Sequence, residues 1–233
     1  TVPLVSKVCN IRMVPLATDI ITAELTGRPS PIQDLKEQAI PNYGVKEAVF
    51  PFNMFPEVDP ILGPEMRSTG EVLGLSGSYG EAFFKAQEAV QSKLPLAGRV
   101  LISVNKKDKD EVVEVARSLA QDGFEIVATE GTYNLITAAG IPATKAKKLY
   151  EGRPNVGDMI TNGDFDLIIN SPVGKDSVHD DSYLRKAAIK AKAPYITTVA
   201  AAKVTAEGIH YVKTHLVSAV KSLQEMHGEI KCN

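Results

Sequence analysis

The sequence is poor in the residues that mark several common protein classes. Of 233 residues only two are cysteine, Cys9 and Cys232, which argues against a disulfide framework and favours a reducing, cytoplasmic compartment. The formal net charge is −2, so the bulk binding of nucleic acid, which needs a strongly basic face, is not expected. No apolar run approaches the ~20 residues of a membrane span, and the N-terminus has no signal-peptide pattern. We therefore expect no nucleic-acid or membrane partner.

Several nucleotide and metal motifs are also missing. The chain has no G-x-G-x-x-G and no G-x-x-x-x-G-K-S/T, so neither a dinucleotide site nor a P-loop is supported. Its four histidines do not combine with cysteines or carboxylates in a zinc-ligand spacing. We predict no metal site.

The first 92 residues do not form a complete α/β pattern. Five prolines between positions 41 and 64 divide this part into short extended pieces, because proline fixes φ and removes a donor. Helices are predicted at residues 11–24 and 79–91. The segment reads as the closing edge of a domain whose start is missing, and the absence of an initial methionine agrees with a piece of a longer chain.

From residue 93 onward, strand and helix patterns alternate with short connections, which is typical of a doubly wound, mostly parallel α/β sheet. The predicted strands are residues 99–104, 124–128, 144–150, 165–170 and 194–199. The predicted helices are residues 108–121, one that follows TEGT (129–132) and runs through 139, 155–162, 182–192 and one starting at 200. A polar loop is predicted at 171–181 and a terminal segment at 216–226.

In such a sheet a ligand binds beyond the carboxyl ends of the strands. Lysines, threonine hydroxyls and a helix N-terminus follow these strands, and this combination suits an anion. The residues that follow the strands are Asn105, Lys106, Lys107 and Lys109, then Thr129, Glu130, Gly131 and Thr132, then Lys147 and Lys148, then Asn170, and finally Thr197 and Thr198. The pattern predicts a phosphorylated small molecule, with Asn170 hydrogen-bonding a sugar or carbonyl group.

Most of these residues also have a structural interpretation. Thr129 and Thr132 can be an N-cap and a first-turn residue, and Asn170 can belong to a turn. The lysines near position 107 can form a solvated turn, and those at 145–148 can protect an edge strand. Only their joint placement at one sheet edge favours the ligand site.

Two blocks of sequence resemble a known family. The first is VKEAVFPFNMFPEVDPILGPEMRSTGEVLG at residues 45–74, and the second runs through GRVLISV, ATEGT, GIPATKAKKLYEGRPN, NGDFDLIIN and DDSYLRKAA. Together they resemble the C-terminal end of the carbamoyl phosphate synthetase large chain. The resemblance implies that residues 1–92 close the second ATP-grasp unit. It also implies that residues 93–233 form the allosteric domain, which has the fold of methylglyoxal synthase.

The resemblance implies a function for the parent enzyme. That enzyme is an ATP-dependent ligase that uses Mg (or Mn) and makes carbamoyl phosphate for pyrimidine and arginine synthesis. Its magnesium-binding residues lie upstream of this sequence, so the fragment is expected to hold no cofactor and to be inactive alone. The implied partners are the rest of the large chain, the glutaminase small chain, the effectors UMP, IMP or ornithine, and further copies in a homo-oligomer.

The resemblance also assigns residues to the effectors. The phosphate-binding set is Lys109, Thr129, Thr132 and Lys148, the ribose and base side is Ser103 and Asn170, and the ornithine set is Glu47, Tyr195 and Thr197. Pro172 stands where the family has a threonine, and proline cannot donate a hydroxyl hydrogen bond.

Two other functions stay open. The second half could be a methylglyoxal synthase-like lyase, which needs a carboxylate base. Glu151 is the only acid in the corresponding stretch, KKLYEGRPN. The domain could instead be a structural oligomerisation module with a vestigial pocket.

Overall fold

A five-stranded parallel sheet forms the centre of the molecule. The computed structural model describes residues 2–55, 58, 60–171, 178–215 and 220–232. The strands are β4 (Gly98–Ser103), β5 (Phe124–Thr129), β6 (Thr144–Ala146), β7 (Leu167–Asn170) and β8 (Tyr195–Ile196), in the spatial order β6-β5-β4-β7-β8. Every pairing in this sheet is parallel. The predicted doubly wound α/β fold is therefore confirmed.

Helices cover both faces of the sheet, because its strands are apolar on both sides. The connecting helices are α4 (Lys109–Gln121), α5 (Glu130–Ala138), α6 (Val156–Thr161), α7 (Val178–Ala191) and α8 (Val199–Thr214). Alternate residues of β4 separate the two cores: Val100 and Ile102 pack with residues of α4, α5 and α8, whereas Leu101 packs with residues of α6 and α7. The chain therefore winds across one face and returns across the other.

The N-terminal segment contains helices and an antiparallel strand pair. Its elements are α1 (Val2–Cys9), α2 (Met13–Thr26), a 3₁₀ turn Pro31–Asp34, β1 (Gln38–Ala39), β2 (Tyr43–Val49), a 3₁₀ turn Pro51–Asn53, β3 (Gly70–Ser76) and α3 (Tyr79–Ala89). Strands β2 and β3 pair over their whole length, from Tyr43 opposite Ser76 to Val49 opposite Gly70. Sequence reasoning missed this pair, because the proline-rich stretch between the strands hides a pairing of residues that are far apart in sequence.

Helix α3 joins the N-terminal segment to the parallel sheet. It contacts β2 and β3 on one side and α8 on the other. Phe83 and Phe84 belong to the same core cluster as Val100 and Ile102 of β4. The division of the chain at residues 92 and 93 stays a prediction, and α3 packs across it.

The C-terminal tail returns to the N-terminal segment. Helix α9 (Leu223–Gly228) lies against α1, and β9 (Lys231–Cys232) pairs antiparallel with β1. The Nε2 atom of His227 lies 2.5 Å from the carbonyl oxygen of Lys7. Asn42 Nδ2 donates a hydrogen bond to the Glu229 carboxylate at 3.4 Å. The predicted terminal segment at 216–226 is described only from residue 220 onward.

Several predicted elements differ from the structure. Helix α1 was not predicted, and the helix expected at 11–24 is α2, Met13–Thr26. The strand expected at 194–199 is only Tyr195–Ile196, because Thr198 caps α8, which begins at Val199.

The strand expected at 144–150 ends at Ala146, because its neighbour β5 ends at Thr129 and leaves no ladder partner. A 3₁₀ turn follows at Leu149–Glu151, where the Glu151 carboxylate accepts the Lys148 N–H at 2.9 Å. Helix α7 begins at Val178 instead of 182, since its acidic first turn suits a helix N-terminus.

The helices were compared with the length and hydropathy that a membrane span requires. Within the described residues, no helix is both long enough and apolar enough to cross a bilayer.

Candidate functional site

A cavity lies at the carboxyl edge of the parallel sheet, between β4 and β7. The chain leaves β4 toward β5 and later returns on the other side of β4 as β7, which makes this gap the topological switch point where such sheets bind ligands. Ser103 and Asn170 end these two strands and lie directly opposite each other in register. The cavity has a volume of about 220 Å³.

The cavity combines a polar floor with an apolar wall. Four of the predicted site residues line it together, namely Ser103, Thr129, Lys148 and Asn170. The apolar lining comes from Leu149, Val156 and Leu184. The sheet edge therefore gathers a cation, two hydroxyls and an amide beside an apolar surface.

Helix α5 begins beside the cavity, and the side chain of its N-cap residue accepts no hydrogen bond from the first-turn N–H groups. Thr129 is the N-cap residue, but its hydroxyl donates to Ser103 Oγ at 3.1 Å instead of accepting from the helix. The first-turn amides of a helix have no partner within the helix and favour an anion. Thr129 thus joins the hydroxyl pair of the cavity and leaves the helix start available to a ligand.

Two lysines add positive charge beside this helix. A Cβ built on Gly131, in the first turn of α5, would lie only 2.7 Å from Lys109 Nζ, so that ammonium lies directly over the helix start. Lys148 lines the cavity, with its Nζ 5.7 Å from the centre of the Tyr150 ring. The hydrogen bond from Lys145 and, more weakly, the charge of Lys148 hold the pKa of the Glu130 carboxyl below its usual value. The two lysines therefore place positive charge beside the start of α5, while two aspartates, Asp180 and Asp181, also line the cavity.

Two residues of the predicted phosphate set, Lys109 and Thr132, do not line the cavity. Thr132 is only 1% exposed, and its Oγ1 accepts the backbone N–H of Val104 at 3.3 Å. The side chain supports the exit of β4 from behind and does not line the cavity. Its role in phosphate binding stays a prediction.

The turns after β4 and β7 are tied together at the cavity rim. Ser171 Oγ accepts both the backbone N–H and the side-chain amide of Asn105, each at 3.1 Å. Asn105 in turn caps the turn Lys106–Asp108 by accepting the N–H groups of Lys107 and Asp108. These bonds fix the distance between the two strand exits.

Sequence reasoning missed a buried network on the β7 side of the cavity. Asn170 Nδ2 donates to Tyr195 Oη at 2.7 Å and to Asp181 Oδ1 at 3.2 Å. Tyr195 Oη donates to the same carboxylate oxygen at 2.9 Å, and Arg185 Nε donates to Asp181 Oδ2 at 2.7 Å. The four-residue spacing of Asp181 and Arg185, typical of an ion pair on a helix, was the available signal.

The surroundings of Tyr195 favour its protonated phenol. Burial, with the adjacent Asp181 carboxylate as the next cause, raises the pKa of Tyr195 far above its usual value of 10.0. A protonated phenol can donate to Asp181 while accepting from Asn170, as the distances require.

The residues predicted for ornithine belong to different surroundings. Glu47 on β2 accepts a hydrogen bond from Gln87 Nε2 of α3 at 3.0 Å. Tyr195 is engaged under the cavity, and Thr197 is half-buried in the turn between β8 and α8. Among the described residues no hydrogen bond joins Glu47 to Tyr195 or Thr197, and the ornithine set stays a prediction.

Two further predictions concern the same region. Pro172 lies outside the described residues. In the described part of the chain, no group of three or more His, Cys, Asp or Glu side chains is arranged to hold a metal ion.

Comparison with known proteins agrees with the fold. The MGS-like domain model matches residues 111–197. The chain is 44% identical to "Carbamoyl phosphate synthase large chain, C-terminal section" of Methanopyrus kandleri, over 97% of this chain and 42% of that protein. It is also 44% identical to the carbamoyl phosphate synthase large chain of Pseudomonas syringae pv. tomato and 39% identical to that of Methanosarcina acetivorans, in each case over 99% of this chain and 21% of the relative.

A solved structure described as the crystal structure of ForH aligns with 57% of this chain and 88% of its own, at 19% identity and a TM-score of 0.36. The chain spans between about a fifth and two fifths of the length of the three curated relatives named above. The near-complete alignment of its residues with these proteins shows that the chain belongs to the carbamoyl phosphate synthase large-chain family and corresponds to a C-terminal part of that chain.

Proposed function

We propose that this chain is the regulatory part of a glutamine-dependent carbamoyl phosphate synthetase large chain, and that its cavity binds a nucleoside monophosphate effector such as UMP or IMP. The observation that carries the proposal is the meeting of Lys148, the Thr129 hydroxyl and the uncapped start of α5 at the switch point of the sheet. A phosphate monoester satisfies all three, because it offers negative charge and several acceptor oxygens.

The rest of the cavity suits the nucleoside part of the effector. Asn170 lies opposite Ser103 across the cavity floor and offers a polar contact to a sugar. Leu149, Val156 and Leu184 provide an apolar wall for a flat base. Small-molecule sites commonly combine a mostly apolar lining with a few polar groups that fix orientation.

In this proposal the catalytic steps belong to the whole enzyme. The parent uses ATP and Mg, with the rest of the large chain and a glutaminase small chain as partners, whereas the effector cavity needs neither cofactor. An effector can alter activity only by binding one conformational state better than another. Helix α3, which contacts both the β2–β3 pair and α8, is the contact through which this preference would reach the synthetase unit.

The lyase function receives no support from the carboxylates. Proton abstraction needs an available base within reach of the substrate. Asp180 and Asp181 both line the cavity. Asp181 accepts hydrogen bonds from Arg185, Tyr195 and Asn170, whereas Asp180 is exposed to solvent in the first turn of α7. Glu151 accepts the Lys148 N–H and does not line the cavity. We therefore assign effector binding instead of catalysis.

Calorimetric titration tests this function. Wild type, Lys148→Ala and Lys190→Ala are titrated with UMP, IMP and inorganic phosphate. Lys190 is the matched control, because it is exposed in the last turn of α7, far from the helix start that faces the cavity. Loss of a charged hydrogen bond lowers affinity about tenfold to a hundredfold, so Lys148→Ala should bind that much more weakly than the control.

Two outcomes of these titrations would contradict the proposal. A folded wild-type sample that binds neither nucleotide nor phosphate would refute the proposal. Equal affinities in wild type and Lys148→Ala would show that the phosphate site lies elsewhere.

A further inference from the structure

We propose that Asp181 is a positioning residue that fixes the orientation of the Asn170 side-chain amide, so that the cavity accepts a hydrogen bond from the ligand and selects a sugar with free hydroxyl groups. The inference deepens the proposed function and rests on it. It concerns which atom of Asn170 faces the ligand, and therefore what the ligand must offer.

Both hydrogens of the Asn170 amide are used inside the protein. One is donated to Tyr195 Oη at 2.7 Å and the other to Asp181 Oδ1 at 3.2 Å. An amide nitrogen has two hydrogens, so no donor remains on Asn170 for the cavity. The carbonyl oxygen Oδ1 is the atom left to contact a ligand.

The opposite orientation of the amide is disfavoured by its neighbours. Asp181 is 6% exposed and accepts a hydrogen bond from Arg185 Nε at 2.7 Å, so its carboxyl oxygens act as acceptors. Tyr195 directs its own hydrogen at Asp181, at 2.9 Å. Both groups therefore present lone pairs toward Asn170, and a flipped amide would place its oxygen against two other oxygens. Asp181 is the group that determines both the tyrosine hydrogen and the amide.

In this arrangement different residues bind the phosphate and the sugar of the ligand. Lys148 and the start of α5 attract the phosphate, whereas Asn170 Oδ1 accepts from a sugar hydroxyl. A buried acceptor that loses its donor costs binding free energy, because the group was already removed from water. The site should thus discriminate a ribonucleoside monophosphate from an analogue without the sugar hydroxyls, and this discrimination should depend on Asp181.

Titrations with three probes test the discrimination. The probes are UMP, its 2′,3′-dideoxy analogue and inorganic phosphate, and the proteins are wild type, Asp181→Asn and Asp122→Asn. Asp122 is a matched control, since it is also a buried aspartate with a side-chain partner, His210 at 2.9 Å, but lies at the C-terminal end of α4. Wild type and Asp122→Asn should prefer UMP about tenfold, the worth of one good hydrogen bond. Asp181→Asn should bring the ratio close to one, while its affinity for inorganic phosphate changes less than about twofold.

Exchange of the Asn170 side-chain amide provides a test that needs no ligand. The resonance is assigned by its loss in Asn170→Ser. Both amide protons should exchange slowly with solvent in wild type and in Asp122→Asn, and faster in Asp181→Asn. A merely destabilised fold would change backbone amides as well, so their protection is recorded in the same spectra.

The results separate this inference from the proposed function. If wild type binds UMP and the dideoxy analogue equally, or if the Asn170 amide exchanges rapidly, the positioning role is overturned while effector binding stands. If wild type binds neither UMP nor phosphate, the proposed function and this inference both fall.

Discussion

Replacing Gly74 with alanine should separate β3 from α3. Gly74 lies in β3, and a Cβ built on it would be 1.9 Å from the carbonyl oxygen of Ala82 and 2.7 Å from the nitrogen of Ala86. Both atoms belong to the backbone of α3, so no side-chain rotation can relieve the overlap. Real Cβ atoms essentially never approach closer than 3.0 Å, and the strand and helix must therefore part by more than about 1 Å.

The size of the effect follows from two opposing contributions. Forced overpacking of a tight interior costs about 1–3 kcal/mol and sometimes more, and an overlap with backbone belongs to the upper end. The gain from replacing glycine inside a strand is about 0.5–1 kcal/mol. The free energy of unfolding should therefore fall by about 2 kcal/mol or more. For a chain of this length that corresponds to a Tm lower by about 4–8 °C.

Gly70→Ala is the matched control, because Gly70 lies in the same strand and a Cβ there meets nothing within 4 Å. Thermal and urea unfolding of wild type and the two variants measure the difference. Gly74→Ala should be clearly less stable and Gly70→Ala equal to wild type or slightly more stable. A Tm for Gly74→Ala at or above that of the control would refute the close approach of β3 and α3.

Two more predictions concern the cavity and pH. Thr129→Val removes the hydroxyl that donates to Ser103 but removes no helix cap. Titration should therefore show about fivefold to tenfold weaker phosphate binding, with little change in Tm. Unchanged phosphate binding would contradict a role of the Thr129 and Ser103 hydroxyls in the site. The hydrogen bond from Arg153, and then that from the Asn155 N–H, lower the pKa of Asp158 below 3.8, so this pair stabilises the fold above that value and the stabilisation is lost as the pH falls through the lowered pKa. Urea unfolding should find wild type more stable than Asp158→Asn at neutral pH, with a difference that shrinks as the pH falls below 3.8. A difference that stays constant with pH would contradict this linkage.

The architecture of the parallel sheet was readable from sequence because its strands are buried on both faces. Such strands appear as continuous apolar runs, as in FDLIIN, and each is followed by an amphipathic helix. The β2–β3 pair was not readable in this way. Its register joins Val49 to Gly70 across a proline-rich stretch, and a local pattern carries no information about such a pairing.

The candidate site could be predicted to the extent that topology alone determines it. Ser103, Thr129, Lys148 and Asn170 end strands or follow them, so a parallel sheet brings them to one edge. The role of Asp181 was not predicted, because two of its partners come from other elements: Asn170 ends β7 and Tyr195 begins β8. Only the ion pair with Arg185, four residues along the same helix, has a fixed sequence spacing, and that spacing does not reveal the two tertiary contacts.

The pairing of β9 with β1 limits how the sheet domain can move. The chain enters the parallel sheet after α3, and its tail at residues 220–232 is anchored to α1 and β1. A body attached at two separated points loses the rotational freedom that a single linker would allow. Its displacements relative to the N-terminal segment are therefore small sliding or twisting movements instead of a wide swing about one hinge. The sheet domain and the N-terminal segment are thus connected both through α3 and through the tail, so a strain introduced at one of these two connections also acts on the other.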